Sequence, residues 1–221
     1  VVTLSWSPPR DLGGAPVEKY ELVMRDDIVK GRFISVYVGL DTTAVITRDQ
    51  FLALYENNFA WHAGKRIKNY KCEVQNEELL AQAQQKNVGV LLLFRHSVFL
   101  ELSARLISER FDIYGMERPN NNTAIQELQQ KGRLKSMKGL TANSNINQLI
   151  NWLKEGKTVL YGPDQDYRNK RSVVSEFFSK PCLTTTVPYN LQKITNCKLI
   201  YLDFFKTTEG YKFVLEDVSH I

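Results

Sequence analysis

The chain has 221 residues, 43% of them hydrophobic and 24% charged, which is enough for a full buried core and argues against a disordered or low-complexity protein. A net charge of +5 and a pI near 9.0 suggest an anionic partner such as nucleic acid, a phospholipid headgroup or an acidic carrier, or simply a basic surface with no such partner. Cys72, Cys182 and Cys197 are odd in number and lack a CxxC spacing, so they read as reduced packing residues rather than a disulfide framework; no apolar run approaches the ~20 residues of a membrane span, and Val1 onward is not a signal peptide.

Residues 1 to about 48 read as short strands: Val2–Trp6, Glu18–Arg25, Phe33–Val38 and Thr42–Thr47, separated by Pro8-Pro9, Gly13-Gly14 and Pro16. Trp6-Ser7-Pro8-Pro9, Gly13-Gly14-Ala15-Pro16 and Tyr20-Glu21-Leu22, with Gly39-Leu40-Asp41-Thr42-Thr43 before Val45-Ile46, resemble the first half of a fibronectin type III domain. The two later strands of that family, with their Tyr-x-Phe-x-Val pattern, do not follow. The expectation is an incomplete all-β segment over residues 1–50, then a separate core over 51–221. The other reading makes these strands part of one larger fold.

From Phe51 the pattern turns helical, with Phe51, Leu52, Leu54, Tyr55, Phe59 and Trp61 ahead of Lys65, Arg66 and Lys68. Aromatic groups beside a basic cluster suit either an interfacial membrane contact or a core-facing helix with a solvated end. Glu77–Lys86 is a run of good helix formers. Val88–Phe94 is a continuous apolar run of strand length, as a strand covered by helices on both faces requires. Arg95 and His96 end it abruptly, and Ser97–Glu109 carries a helical stripe with Ser97 as a plausible N-cap. Ligands of open α/β sheets bind beyond the carboxyl ends of strands, which makes His96 and Glu101 candidates for chemistry.

Downstream, Phe111–Met116 reads as a strand, Thr123–Lys131 as a helix ended by Gly132, Asn145–Glu155 as a helix stopped by Gly156, and Thr158–Tyr161 as a buried strand. A short helix near Tyr189–Thr195 precedes Lys198–Phe205 and Tyr211–Leu215, joined by a hairpin at Thr207–Gly210. The expected class is α/β, a mixed sheet with flanking helices.

A histidine beside a carboxylate is a general-base pair, because the carboxylate fixes the tautomer and stabilises the imidazolium formed when a hydroxyl proton is removed. Arg118 and Arg133, on separate loops, suit phosphate recognition as well as they suit ordinary carboxylate pairing. No metal-ligand cluster is evident in the sequence.

Residues 51–221 resemble the lipid A biosynthesis acyltransferases, the late lauroyl- and myristoyl-transferases of Gram-negative bacteria, whose fold is glycerolipid acyltransferase-like. The match rests on Gly89-Val-Leu-Leu-Leu before His96-x4-Glu101, on Arg118-Pro119 followed by asparagines, and on Gly132-Arg133. It rests most specifically on Gly162-Pro163-Asp164-Gln165-Asp166-Tyr167, with Phe177-Phe178 and Thr184-Thr185-Thr186 downstream. The resemblance implies transfer of an acyl chain from acyl carrier protein to a hydroxyl of a lipid A precursor, at the cytoplasmic face of the inner membrane, with no acyl-enzyme, metal or cofactor.

In that pattern His96 is the base and Glu101 its partner, Arg133 and Arg118 position charged substrate groups, and Asp164 and Asp166 support the site without separable roles. Its partners are the carrier, the lipid A precursor and a membrane surface; nucleic acid is not among them. Arg95 departs from the family, which more often has a small residue before the histidine, and the C-terminal segment with its Trp and Arg-Phe-Lys pattern is expected to be missing. The rival readings are another glycerolipid acyltransferase, or a non-catalytic interaction protein that uses the type III-like strands.

Overall fold

A computed structural model of the chain describes residues 2–8, 20–24, 34–39, 41–46, 56, 59–97, 99–164, 172–177 and 179–220. The chain divides into two compact units, Val1–Tyr55 and Glu56–Ile221. In the first, strands form at β1 (Val2–Ser5), β2 (Tyr20–Met24), β3 (Ile34–Gly39) and β4 (Thr43–Ile46). β1 pairs antiparallel with β4, and β2 with β3. The Trp6 N–H donates to the Thr42 carbonyl at 3.0 Å and the indole meets Tyr20 edge-on at 5.8 Å. The glycine- and proline-rich turn of residues 9–19 lies outside the described residues.

The second unit is the expected mixed α/β fold. Its strands are β5 (Cys72–Gln75), β6 (Val90–Phe94), β7 (Ile113–Glu117), β8 (Gly139–Ala142), β9 (Thr158–Tyr161), β12 (Lys198–Lys206) and β13 (Tyr211–Asp217). They form one sheet in the order β5-β13-β12-β6-β9-β7-β8. Every neighbouring pair is parallel except β12–β13, which the predicted hairpin joins. Its helices include α1 (Glu78–Gln85), α2 (Leu100–Ser108), α3 (Thr123–Arg133), α4 (Ile146–Lys154) and α5 (Val187–Thr195). A separate two-stranded hairpin, β10 (Ser172–Phe177) with β11 (Lys180–Thr185), precedes α5.

β6 occupies the middle of the sheet, and its apolar run explains why. Val90, Leu91 and Leu92 are fully buried. Successive strand residues face opposite sides, so Leu91 joins Leu149, Trp152 and Leu153 of α4 and Leu191 of α5. Val90 and Leu92 join Leu80 and Ala83 of α1 and Leu102, Leu106 and Ile107 of α2. Each such side chain contributes about 2 kcal/mol on burial, a sizeable share of the ~5–15 kcal/mol that stabilises a typical protein. The strand that carries the site is thereby fixed from both sides.

Two local expectations are corrected, and several short strands are added. β5 and β8 are four-residue edge strands, too short for their alternation to stand out, and the β10–β11 hairpin joins them as unanticipated. Helix α2 begins at Leu100, not after Ser97; Ser97 instead closes the preceding turn, its carbonyl accepting from Leu100 N at 3.2 Å and its hydroxyl from Phe99 N at 3.3 Å. Helix α3 runs through Gly132 to Arg133. A β-carbon at Gly132 would lie 2.4 Å from Trp61 Cβ, so this glycine admits a packed indole rather than stopping a helix.

Candidate active site

The site lies at the carboxyl edge of the sheet, where β6 and β9 end side by side. Their last paired residues are Leu93 and Tyr161. His96 stands three residues beyond the first and Asp164 three beyond the second, and equal overhangs bring them together. Asp164 receives two hydrogen bonds from one residue: the His96 backbone N–H donates to Oδ2 at 2.6 Å, and Nδ1 lies 2.6 Å from Oδ1. A neutral imidazole held this way carries its proton on Nδ1 and its basic lone pair on Nε2. Burial would raise the Asp164 pKa, but the bonds from the His96 ring and backbone outweigh it and hold the carboxyl below its usual value. Both side chains are about one-third exposed, 39% for His96 and 34% for Asp164, so the pair is open to a substrate.

Gly162 sets the ring's resting place. A β-carbon there would lie 2.7 Å from His96 Cε1 and 2.9 Å from Phe94 Cζ. Gly162→Ala is therefore expected to push the imidazole off Asp164. The check is the Nδ1–H resonance in nitrogen-15 NMR, tractable with three histidines in the chain; a resonance unchanged from wild type would reject the packing argument.

Glu101 has other partners. Its Oε2 accepts from Trp61 Nε1 at 2.8 Å and from Arg133 Nε at 3.0 Å, and its Oε1 accepts from Arg133 Nη2. Arg133 also reaches Glu117, Nη1 to Oε2 at 2.5 Å, and Glu117 Oε1 accepts from Gln126 and Gln130 at 2.6 and 2.7 Å. One guanidinium thus bridges two carboxylates that are 13% and 5% exposed. Burial alone would lower the Arg133 pKa, but the bonds and charges of Glu101 and Glu117 overcome it and raise the pKa above the ordinary arginine value. Gln126, Gln130 and Arg133 recur at the spacing of one helix face. Asn122 caps the same helix, its side chain accepting from Ala124 N and Ile125 N, which accounts for the last of the asparagines after Pro119.

Of the residues singled out in the sequence, the structure joins His96 to Asp164 and Glu101 to Arg133. Arg118 is exposed at the end of β7, on the same sheet edge, and makes no ion pair with a described residue. Asp166 lies outside the described residues. Sequence reading missed the roles of Trp61, Glu117, Gln126 and Gln130; only the 126, 130, 133 spacing offered a signal. Among the described residues no group of three or more His, Cys, Asp or Glu side chains gathers to hold a metal ion, and no helix is long and apolar enough to cross a membrane.

A protein-family model described as bacterial lipid A biosynthesis acyltransferase matches residues 50–216. A lipid A biosynthesis acyltransferase of Haemophilus influenzae is 34% identical over 162 residues, 72% of this chain and 51% of that protein. The lipid A biosynthesis lauroyltransferase of Escherichia coli is 33% identical over 151 residues, 67% of this chain and 49% of that protein. The palmitoleoyltransferase of the same pathway in Escherichia coli is 28% identical over 168 residues, 74% and 55% of the two chains. The chain spans about half the length of the curated relatives it matches.

Proposed function

The chain belongs to the bacterial lipid A biosynthesis acyltransferase family, and from that premise we propose that it transfers a fatty acyl chain from acyl carrier protein to a hydroxyl of a lipid A precursor. The observation that carries the proposal is the two-point attachment of His96 to Asp164 at the carboxyl end of the central strand. In this mechanism Nε2 removes the acceptor's O–H proton as the oxygen attacks the thioester carbonyl carbon. The tetrahedral intermediate collapses, the C–S bond breaks, and the departing thiolate takes the proton back from the imidazolium. The products are an ester and a free carrier thiol, with no acyl-enzyme. Asp164 stabilises the imidazolium in between.

This assignment moves the partner role from Glu101 to Asp164. Glu101 anchors Arg133 instead, and the Nε, Nη1 and Nη2 groups of Arg133 are already engaged by carboxylates. Arg118 is the better placed of the two arginines to meet an anionic substrate group. Asp166 keeps the supporting role that the family resemblance implies. The direct test incubates the protein with acyl carrier protein thioester and a lipid A precursor and follows the added acyl mass by mass spectrometry. Acylation of glycerol phosphate in place of the lipid A precursor would overturn the assigned acceptor, and no transfer to either would overturn the activity.

A bilayer-anchored acceptor requires the protein to meet a membrane surface, here proposed as the cytoplasmic face of the inner membrane. The 3₁₀ turn Gly64–Asn69 supports this: it buries Ile67 and exposes Lys65, Arg66 and Lys68. In a 3₁₀ turn positions three apart eclipse, so Lys65 and Lys68 share one side. Each such cation near an anionic surface contributes about 1 kcal/mol. The triple variant Lys65→Glu, Arg66→Glu, Lys68→Glu is expected to weaken sedimentation with phosphatidylglycerol vesicles at least ~100-fold. Undiminished sedimentation would remove this surface from the model of docking.

A further inference from the structure

Arg95, the residue that departs from the family pattern, extends the sheet where its backbone pairing stops. β6 and β12 pair in parallel through Leu93 with Tyr201 and Phe94 with Leu202. The next pair in that register is Arg95 with Asp203, and there the contact is an ion pair, Arg95 Nε to Asp203 Oδ1 at 2.9 Å. Asp203 is itself held, because the same oxygen accepts from Phe204 N at 2.9 Å. Phe204 is in turn stacked on Tyr211 at 5.3 Å with 9° between the rings, and packed against Phe213 at 4.9 Å.

The strand end is therefore tied on both sides. Toward β12 it is held by Arg95 and Asp203, and beyond β9 by His96 and Asp164. We propose that Arg95 and Asp203 are positioning residues: they fix the corner after β6 so that the His96 backbone and ring both address Asp164. The proposal rests on the catalytic reading of His96 given above.

Magnitudes separate this role from a merely stabilising one. Arg95 is 52% exposed and Asp203 25% exposed. An exposed pair of this kind adds at most about 1 kcal/mol of stability. A displacement of about 1 Å in a catalytic group costs about 100-fold in rate. Loss of the tie should accordingly be visible in turnover and nearly invisible in the melting temperature.

The experiment compares Arg95→Ala, Asp203→Ala and the exchanged pair Arg95→Asp with Asp203→Arg. Three quantities are read: kcat and KM for acyl transfer from the carrier thioester, the thermal midpoint, and the His96 Nδ1–H resonance in nitrogen-15 NMR. Each single variant is expected to lower kcat about 10-fold or more, with KM changed less than about 2-fold and an exchange-broadened Nδ1–H signal. The exchanged pair should regain most of the lost kcat. Unchanged kcat and an unchanged Nδ1–H signal in both single variants would overturn the proposal, as would losses that track a fall in the thermal midpoint. If the wild-type chain transfers no acyl group while the Nδ1–H signal still responds to Arg95→Ala, the tie stands and the assigned reaction fails.

Discussion

His96→Ala is expected to lower acyl transfer by about 10³-fold, and Asp164→Asn by about 10²-fold or more, with the melting temperature little changed in either. The alanine removes the base. The asparagine keeps the shape but loses the charge that fixes the Nδ1–H tautomer and stabilises the imidazolium. Steady-state kcat/KM with the carrier thioester and a lipid A precursor is the measurement. Near-wild-type turnover in His96→Ala would end the general-base mechanism. The same assay separates the two carboxylates: Glu101→Ala should lose activity together with stability, whereas Asp164→Asn should lose activity alone. The reverse pattern would return the partner role to Glu101, as the family resemblance implies.

Arg133→Met should be strongly destabilising. It leaves Glu101 and Glu117 charged and largely buried, 13% and 5% exposed, with no cation between them. Breaking a buried pair from one side costs about 3–5 kcal/mol, which in a unit of this size lowers the thermal midpoint by about 10 °C. Adding Glu101→Gln and Glu117→Gln removes the unpaired negative charge and should recover about half of the loss, as read by thermal unfolding. A midpoint unchanged in Arg133→Met would show that the cluster is solvated and adds little.

The sequence made the frame of the second unit legible because its strongest signals were long. The apolar run at β6, the helix-forming runs of α1 and α4, and the β12–β13 hairpin each carry many residues pointing to one answer. Short edge strands such as β5 carry too few. At the site, His96, Asp164 and Glu101 were all visible, but their partnership was not. The family resemblance favoured Glu101, five positions from His96, whereas the register of two parallel strands favours Asp164, 68 positions away. The roles of Trp61 and Glu117 at the site escaped notice for the same reason: they arise from tertiary neighbours, an indole seated on Gly132 and a carboxylate at a strand end. Gly132 itself read as a helix stop because local propensity was the only evidence in view.

The equal overhangs of His96 and Asp164 carry one more consequence. The dyad is specified by counting, since each residue lies three positions past a matched point on adjacent strands. Side chains near Arg95 or Pro163 are open to exchange as far as that count is concerned. Insertion or deletion of one residue in either overhang is not, because it carries His96 or Asp164 out of step with the matched point on the neighbouring strand. The length of each overhang is therefore a constraint on the site separate from the identity of any side chain in it.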